Sequence, residues 1–343
     1  AGYQHCTHPA RRCHASRGVS IVGPSDPGSS KDVRKMNQTS EQVPSPQANN
    51  VHDIGPASPA ALPRCAQIER DIITRYRKKL WVPFIKALTD YQLICDGDHI
   101  AVCVSGGKDS FLLAKLFQEL YRHGRRNFEV TFLSMDPGYP DYARESIAHN
   151  AELLGVPLKV VPTNIFEIVR RLDGKPCYPC ARMRRGALYN AARELGCNKI
   201  ALGHHFDDVV ETILMSVLYG GQVKTMMPKL HSTNFEGMEL IRPLYLVHEA
   251  DIITWRDENA LEFIHCACPL SGGVSSCDAG EGSKRASVKA LIASLSAKDP
   301  DIAKSIFHSV ENVHLDAIVG WRAASKHHNF LERYDEGWEE SKG

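Results

Sequence analysis

From about Cys65 onward, apolar positions recur in two alternating rhythms, and before that point in none. Ile68, Ile72, Ile73, Tyr76 and Leu80 keep a helical spacing. Residues 99–105 form a short apolar run ending in a Gly-Gly pair, the pattern of a buried strand. Helical periodicity follows at 111–121, a second strand at 129–135, a second helix at 142–154 and a third strand at 158–161. A helix at 182–195, a fourth strand at 199–203, a helix at 207–218 and a fifth strand at 239–242 continue the alternation. Strands interleaved with helices predict an α/β fold, a doubly wound parallel sheet of about five strands. Ligands of such sheets bind at the carboxyl ends of the strands. From Glu249 the pattern turns mainly helical, with helices at 284–295 and 302–313 and a Gly- and Ser-rich loop at 271–282.

Three regions follow: 1–64, predicted disordered; 65–248, a nucleotide-binding domain with an N-terminal helix; and 249–343, a helical extension. The first is rich in Ser, Pro, Asn, Gln and Gly and lacks the apolar content to offset its ordering entropy. His5, Cys6, His8, Cys13 and His14 cluster there without a CxxC pair and read as accident.

Bulk numbers exclude some classes. A formal net charge of +1 leaves any nucleic-acid surface to a local patch. No run of about 18 apolar residues marks a membrane span, and no apolar core marks a secretory signal. Arg11, Arg12, Ser16 and Arg17 lack the helical apolar face of a transit peptide, so a cytoplasmic protein with no membrane partner is expected. The 11 cysteines are odd in number and scattered over a long chain, unlike a disulfide framework.

The strongest chemical signal is Ser105-Gly106-Gly107-Lys108-Asp109-Ser110, set between a strand and a helix. The glycines let backbone approach a phosphate, and the helix start offers unpaired N–H groups and its positive dipole end. Ser105 and Ser110 add hydroxyls and Lys108 a cation; Asp109, an acceptor only, suits a helix cap or Mg²⁺. The string is not a Walker A loop. At the end of the fourth strand stands Gly203-His204-His205-Phe206-Asp207-Asp208, whose carboxylates suit a helix start and a Mg²⁺ site facing pyrophosphate. His204 and His205 are candidates for phosphate contact or for structure.

Cys177-Tyr178-Pro179-Cys180 reads as a loop ahead of a basic helix. Such a pair serves equally as a redox dithiol, a zinc half-site or part of an iron–sulfur site. Arg182, Arg184, Arg185, Lys224 and Lys229 are candidate phosphate grips for an RNA, or a solvated basic face.

The phosphate string resembles the PP-loop of the ATP pyrophosphatases, which cleave ATP between the α and β phosphates and adenylylate a substrate oxygen. The cysteine block 177–186, Tyr219-Gly220-Gly221, Met227-Pro228-Lys229-Leu230 and Ile241-Arg242-Pro243-Leu244 resemble, in order, the tRNA 2-thiocytidine synthetase family. That resemblance implies an ATP-dependent tRNA sulfurtransferase using ATP, Mg²⁺ and a [4Fe–4S] cluster. It implies tRNA and a sulfur donor such as a cysteine desulfurase as partners, and admits a homodimer. Nucleotide binding falls to Ser105, Gly106, Gly107, Lys108, Asp109, Ser110, Met135, Gly203 and Asp208, and catalysis to Lys108, Asp109, Cys177 and Cys180. The cluster takes three cysteines: Cys177, Cys180 and one downstream, Cys268 favoured over Cys266. In this family the fourth iron is free to carry sulfur. The family's usual downstream pair is separated by two residues; here Cys266-Ala267-Cys268 departs from it. Cys277 is expected to be a bystander. Met135-Asp136-Pro137-Gly138-Tyr139 and the end of the chain also depart, which leaves the nucleoside open. A lysidine-type ligase, a 2-thiouridine enzyme and a non-catalytic zinc-stabilised module are the rivals.

Overall fold

The computed structural model describes residues 63–124, 127–172, 177–264, 268, 284–323 and 325–334. Internal contacts divide the chain into residues 1–61 and 62–343, and every described residue belongs to the second unit. The N-terminal segment, its His/Cys cluster, the 271–282 stretch, Cys266 and Cys277 lie outside the described residues.

The chain enters through α1 (Arg64–Ile73) and α2 (Val82–Asp90), joined by a wide π-type turn at Arg77–Trp81. Ile68, Ile72, Tyr76 and Leu80 are all buried, as their spacing predicts, but the helix is broken at Thr74–Tyr76 rather than continuous. Pro83 stands in the first turn of α2, directly after the π-type turn.

Six strands follow: β1 (His99–Cys103), β2 (Glu129–Asp136), β3 (Leu158–Pro162), β4 (Lys199–Ala201), β5 (Lys229–His231) and β6 (Glu239–Ile241). Their spatial order is β3-β2-β1-β4-β6-β5. All pairings are parallel except β5 with β6. The doubly wound sheet of the sequence reading is therefore present, with one antiparallel edge strand added. That strand, Lys229-Leu230-His231, has one apolar residue and is largely exposed, so it gives no apolar run to find.

The crossover elements are α3 (Lys108–His123), α4 (Asp141–Leu153), α5 (Ile165–Arg170), α6 (Cys177–Glu194) and α7 (Phe206–Gly220). Alternation along β1 sorts its side chains between two cores. Ile100 and Val102 join the larger one with Phe111, Leu112 and Phe117, while Ala101 and Cys103 join the opposite one with Tyr189 and Ile200. Burial on both faces is what a parallel sheet requires. Each fully buried Leu or Phe of α3 contributes about 1.5–3 kcal/mol, so this helix is fixed as a unit.

Strand order reverses at β1, which lies between β2 and β4. The crevice at such a reversal is where open α/β sheets take ligands. Val102 of β1 is level with Ala201 of β4, so the loops leaving those two strands emerge side by side.

The chain then forms α8 (Glu249–Glu258), α9 (Lys284–Ser296) and α10 (Ile302–His308). Phe307 of α10 joins Phe206, Val209 and Ile213 of α7 in a third core. Two corrections fall here. The last helix ends at His308 rather than near 313, and the mainly helical extension also carries an antiparallel hairpin, β7 (Gly320–Ala323) with β8 (Lys326–Asn329). Among the described residues, no helix is long and apolar enough to cross a membrane.

Candidate nucleotide and cysteine site

The phosphate string leaves β1 and starts α3. Gly106 has φ +96°, and a Cβ there would lie 2.7 Å from both Ile147 and Ile264, so only glycine fits. Ser110 closes the loop on itself: its hydroxyl accepts from the Ser105 N–H at 3.1 Å and donates to the Gly107 carbonyl at 2.8 Å. With α3 beginning at Lys108, the first-turn N–H groups have no helical acceptor and remain available to an anion. Asp109 Oδ2 accepts from Lys108 Nζ at 3.2 Å. Its Oδ1 is buried without a hydrogen bond of good geometry, although Lys108 Nζ lies 3.1 Å away.

The second motif closes against the first. A Cβ on Gly203 would stand 3.2 Å from the carbonyl carbon of Asp109 and from the Ser110 nitrogen. His205 precedes α7 and gives its N–H to Asp208 Oδ2 at 3.1 Å. Its buried ring lies 3.5 Å from Asp208 and 3.9 Å from Asp109. Burial drives His204 down to about 4, Asp208 opposing and Arg242 assisting, so its imidazole is neutral near pH 7. Asp207 Oδ2 accepts the N–H of Glu249 at 2.7 Å, joining the start of α7 to that of α8.

Lys108 is half-enclosed by carboxylates. Burial pulls its ammonium down, but Asp109 and Glu249 outweigh that and hold it above the ordinary lysine range. Beside it opens a cleft of about 570 Å³ lined by Gly107, Lys108, Asp109, Arg256 and the 261–264 segment. Arg256 is a cation at this mouth that the sequence reading missed, having no motif around it. Met135 is buried at the carboxyl end of β2, in the larger core. The turn after it is built by Asp136, whose Oδ1 accepts the N–H groups of Gly138 (2.9 Å) and Tyr139 (2.7 Å) and whose Oδ2 accepts Arg144 Nε at 2.6 Å.

The CxxC pair is not in a loop. Cys177 opens α6 and Cys180 lies one turn on. Pro179 stands in the first helical turn, where proline costs no hydrogen bond. Cys177 is exposed, Cys180 buried and Cys268 half-buried against the larger core. Burial pushes the Cys180 thiol up and Arg184 pulls it down, and both Cys268 and Cys177 lie close enough to push it further up. Cys268 packs against the same core as Cys180, and no three His, Cys, Asp or Glu among the described residues form a ready metal-binding group. Arg184 Nη2 donates to Tyr139 Oη at 3.2 Å, tying α6 to the turn after β2.

Two basic residues depart from expectation. Lys229 is no free phosphate grip: its Nζ donates to the Gln92 carbonyl at 3.1 Å and lies 3.3 Å from Glu239. Arg242, read only as part of a motif block, is 9 % exposed, and burial lowers its guanidinium to about 10. Its Nη1 donates to the Met227 carbonyl. Its Nε and His204 Nδ1 are buried polar atoms with no hydrogen-bond partner among the described residues, a signal only coordinates give.

Residues 82–267 match a protein family described as a PP-loop domain. A tRNA-cytidine(32) 2-sulfurtransferase from Anaeromyxobacter sp. (strain Fw109-5) is 38% identical over 244 residues, 70% of this chain and 78% of the relative. The protein of the same name from Geobacter sulfurreducens is 37% identical over 231 residues, covering 66% of this chain and 87% of the relative. The chain belongs to the PP-loop tRNA 2-thiocytidine synthetase family. Among solved structures, the U34-tRNA thiolase NcsA from Methanococcus maripaludis, determined with its [4Fe–4S] cluster, shares the family's fold. It aligns with a TM-score of 0.53 at 20% identity, over 75% of this chain and 82% of that one.

Proposed function

We propose that this chain is an ATP-dependent tRNA sulfurtransferase that converts a tRNA cytidine, position 32 by its relatives' name, to 2-thiocytidine. The observation that carries the reading is a half-buried Cys268 packed against the same core as Cys180, which stands one turn after Cys177, in a chain with a PP-loop at its β1–β4 crevice. A lysidine-type ligase has no use for three such thiols.

In the first step the C2 oxygen of the cytidine attacks the α-phosphate of ATP and pyrophosphate leaves. First-turn N–H groups of α3, the hydroxyls of Ser105 and Ser110, and Lys108 offset the charge that develops on the departing phosphates. Gly106, Gly107 and Gly203 keep the backbone close, and Met135 borders the nucleotide. Mg²⁺, when bound with ATP, shields phosphate charge, and the orphaned Oδ1 of Asp109 with Asp208 would hold it. In the second step a sulfur nucleophile forms the C2–S bond, the C2–O bond breaks, and AMP departs with the former C2 oxygen; no net electrons are exchanged.

Cys177, Cys180 and Cys268 would hold a [4Fe–4S] cluster, the thiol donor set such a cluster takes. When bound, that cluster supplies the sulfur. Burial holds the Cys180 thiol up, and Arg184 beside it offsets part of that rise. Residues 65–248 carry the nucleotide and 249–343 the third cysteine. A cysteine desulfurase is the source of sulfur, and the cytoplasm the site of action.

The test is to incubate cluster-loaded protein with ATP, sulfide and tRNA lacking thiolation, then analyse nucleosides by mass spectrometry. 2-Thiocytidine and AMP in equal amounts are expected. 2-Thiouridine, or AMP without a thionucleoside, would sink the reading.

A further inference from the structure

Lys108 is flanked by two carboxylates, its Nζ 3.1 Å from Asp109 Oδ1 and 3.1 Å from Glu249 Oε1. An ammonium so placed presents net negative charge to an arriving anion. A second cation corrects the balance. Lys289 Nζ, on α9, lies 2.6 Å from Glu249 Oε2, so that Glu249 bridges two ammonium groups with its two oxygens.

Lys289 does not act from a loose surface. Four residues earlier on α9, Arg285 Nη1 lies 3.2 Å from Asp208 Oδ1 and 2.9 Å from Glu211 Oε2. Residues four apart share a helix face, so α9 lays two cations, one turn apart, on carboxylates at the starts of α7 and α8. Asp109, Asp207, Asp208, Glu211 and Glu249 oppose Lys108, Arg285 and Lys289 here. Without the two cations of α9, Lys108 would face those carboxylates with only Arg256, across the cleft mouth, beside it. Glu249 itself is anchored by its N–H to Asp207.

We infer that Glu249 and Lys289 are positioning residues for Lys108: Glu249 fixes the ammonium at the mouth of the phosphate loop, and Lys289 supplies the counter-charge that stops Glu249 from cancelling it when a triphosphate arrives. This rests on the phosphate-loop reading of Lys108. Burial opposes ionisation of Glu249, but Lys289 and Lys108 hold its carboxyl at about 2, so the bridge is charged throughout the physiological range. An exposed lysine usually contributes little through an ion pair. Lys289 differs in that its partner is only 20% exposed and touches the loop cation directly.

The double substitution separates this from a merely structural contact. ATP binding to the full-length, cluster-loaded protein is measured by calorimetry, with KM for ATP and kcat alongside. Lys289→Ala is expected to weaken ATP binding about tenfold and to change KM more than kcat. Lys289→Arg should stay within about threefold of wild type, the charge being kept. Adding Glu249→Gln to Lys289→Ala should recover most of the loss, since the carboxylate to be balanced is gone. Should Lys289→Ala fail to fold, Lys289→Met, which keeps the apolar stem, is measured in its place with the same expectation. Wild-type binding in the Lys289 variant, or a double variant that binds worse than the single one, overturns the inference. Lys108→Ala binding ATP as wild type does would overturn the phosphate-loop reading and the inference together. Loss in Lys108→Ala with none in Lys289→Ala overturns the inference alone.

Discussion

Gly203 meets the backbone of Asp109: a Cβ on Gly203 would stand 3.2 Å from the Asp109 carbonyl carbon, so the end of β4 touches the start of α3 with no side chain between them. Neither backbone can yield without moving the first turn of the phosphate loop. Gly203→Val is therefore expected to cost about 1–3 kcal/mol of stability by overpacking and to weaken ATP binding. Thermal melting and calorimetry check both. Unchanged ATP affinity would show that the contact does not shape the loop. Gly186 is the contrast. It lies within α6, and a Cβ added there would meet nothing within 4 Å, so Gly186→Ala should raise stability by about 0.5–1 kcal/mol.

Lys108→Ala should reduce formation of AMP and pyrophosphate by about 100-fold or more, since the loop's cation is lost where charge develops. The fold should persist, because Glu249 keeps its contact with Lys289. Turnover near the wild-type level, in a variant shown by circular dichroism to be folded, would remove the phosphate-loop assignment.

Acid stability follows from Glu249. Its folded carboxyl is held at about 2 against an ordinary 4.5, so it contributes stability that is fully present above about pH 4.5 and lost as pH falls toward 2. The contribution is on the order of 3 kcal/mol. Glu249→Gln should flatten the fall in stability between those pH values when wild type and variant are unfolded in urea across the range. Parallel pH profiles would show that the Lys108–Glu249–Lys289 bridge carries no such linkage.

The cysteines give a chemical test. After anaerobic reconstitution, Cys177→Ala, Cys180→Ala and Cys268→Ala should each lose iron and sulfide, and Cys277→Ala should retain them. Loss at Cys266 with retention at Cys268 would move the third ligand by two residues. Stoichiometric zinc with no iron would end the sulfur-transfer reading.

What could be read from the sequence was local. Ser105–Ser110 and Gly203–Asp208 announce themselves because each packs a strand end, a turn and a helix start into a few adjacent residues. The sheet was legible because β1, β2 and β3 carry apolar runs of several residues. β5 was not, because Lys229-Leu230-His231 on an exposed antiparallel edge carries one apolar residue and no buried run. The CxxC block read as a loop, whereas Cys177 opens α6 and Pro179 falls in its first turn, where a proline is compatible with a helix. Glu249 and Lys289 were invisible for another reason: their partners lie far along the chain, and a long-range ion pair leaves no spacing to find.

The most direct test of the adenylylation account is the fate of the C2 oxygen. A tRNA transcribed with cytidine labelled with ¹⁸O at C2 is thiolated by the cluster-loaded protein in ordinary water, and the AMP released is analysed by mass spectrometry. The account predicts one ¹⁸O in the AMP for each 2-thiocytidine formed. Unlabelled AMP accompanying 2-thiocytidine would contradict it, because the oxygen would then have left C2 without ever being bonded to the α-phosphate.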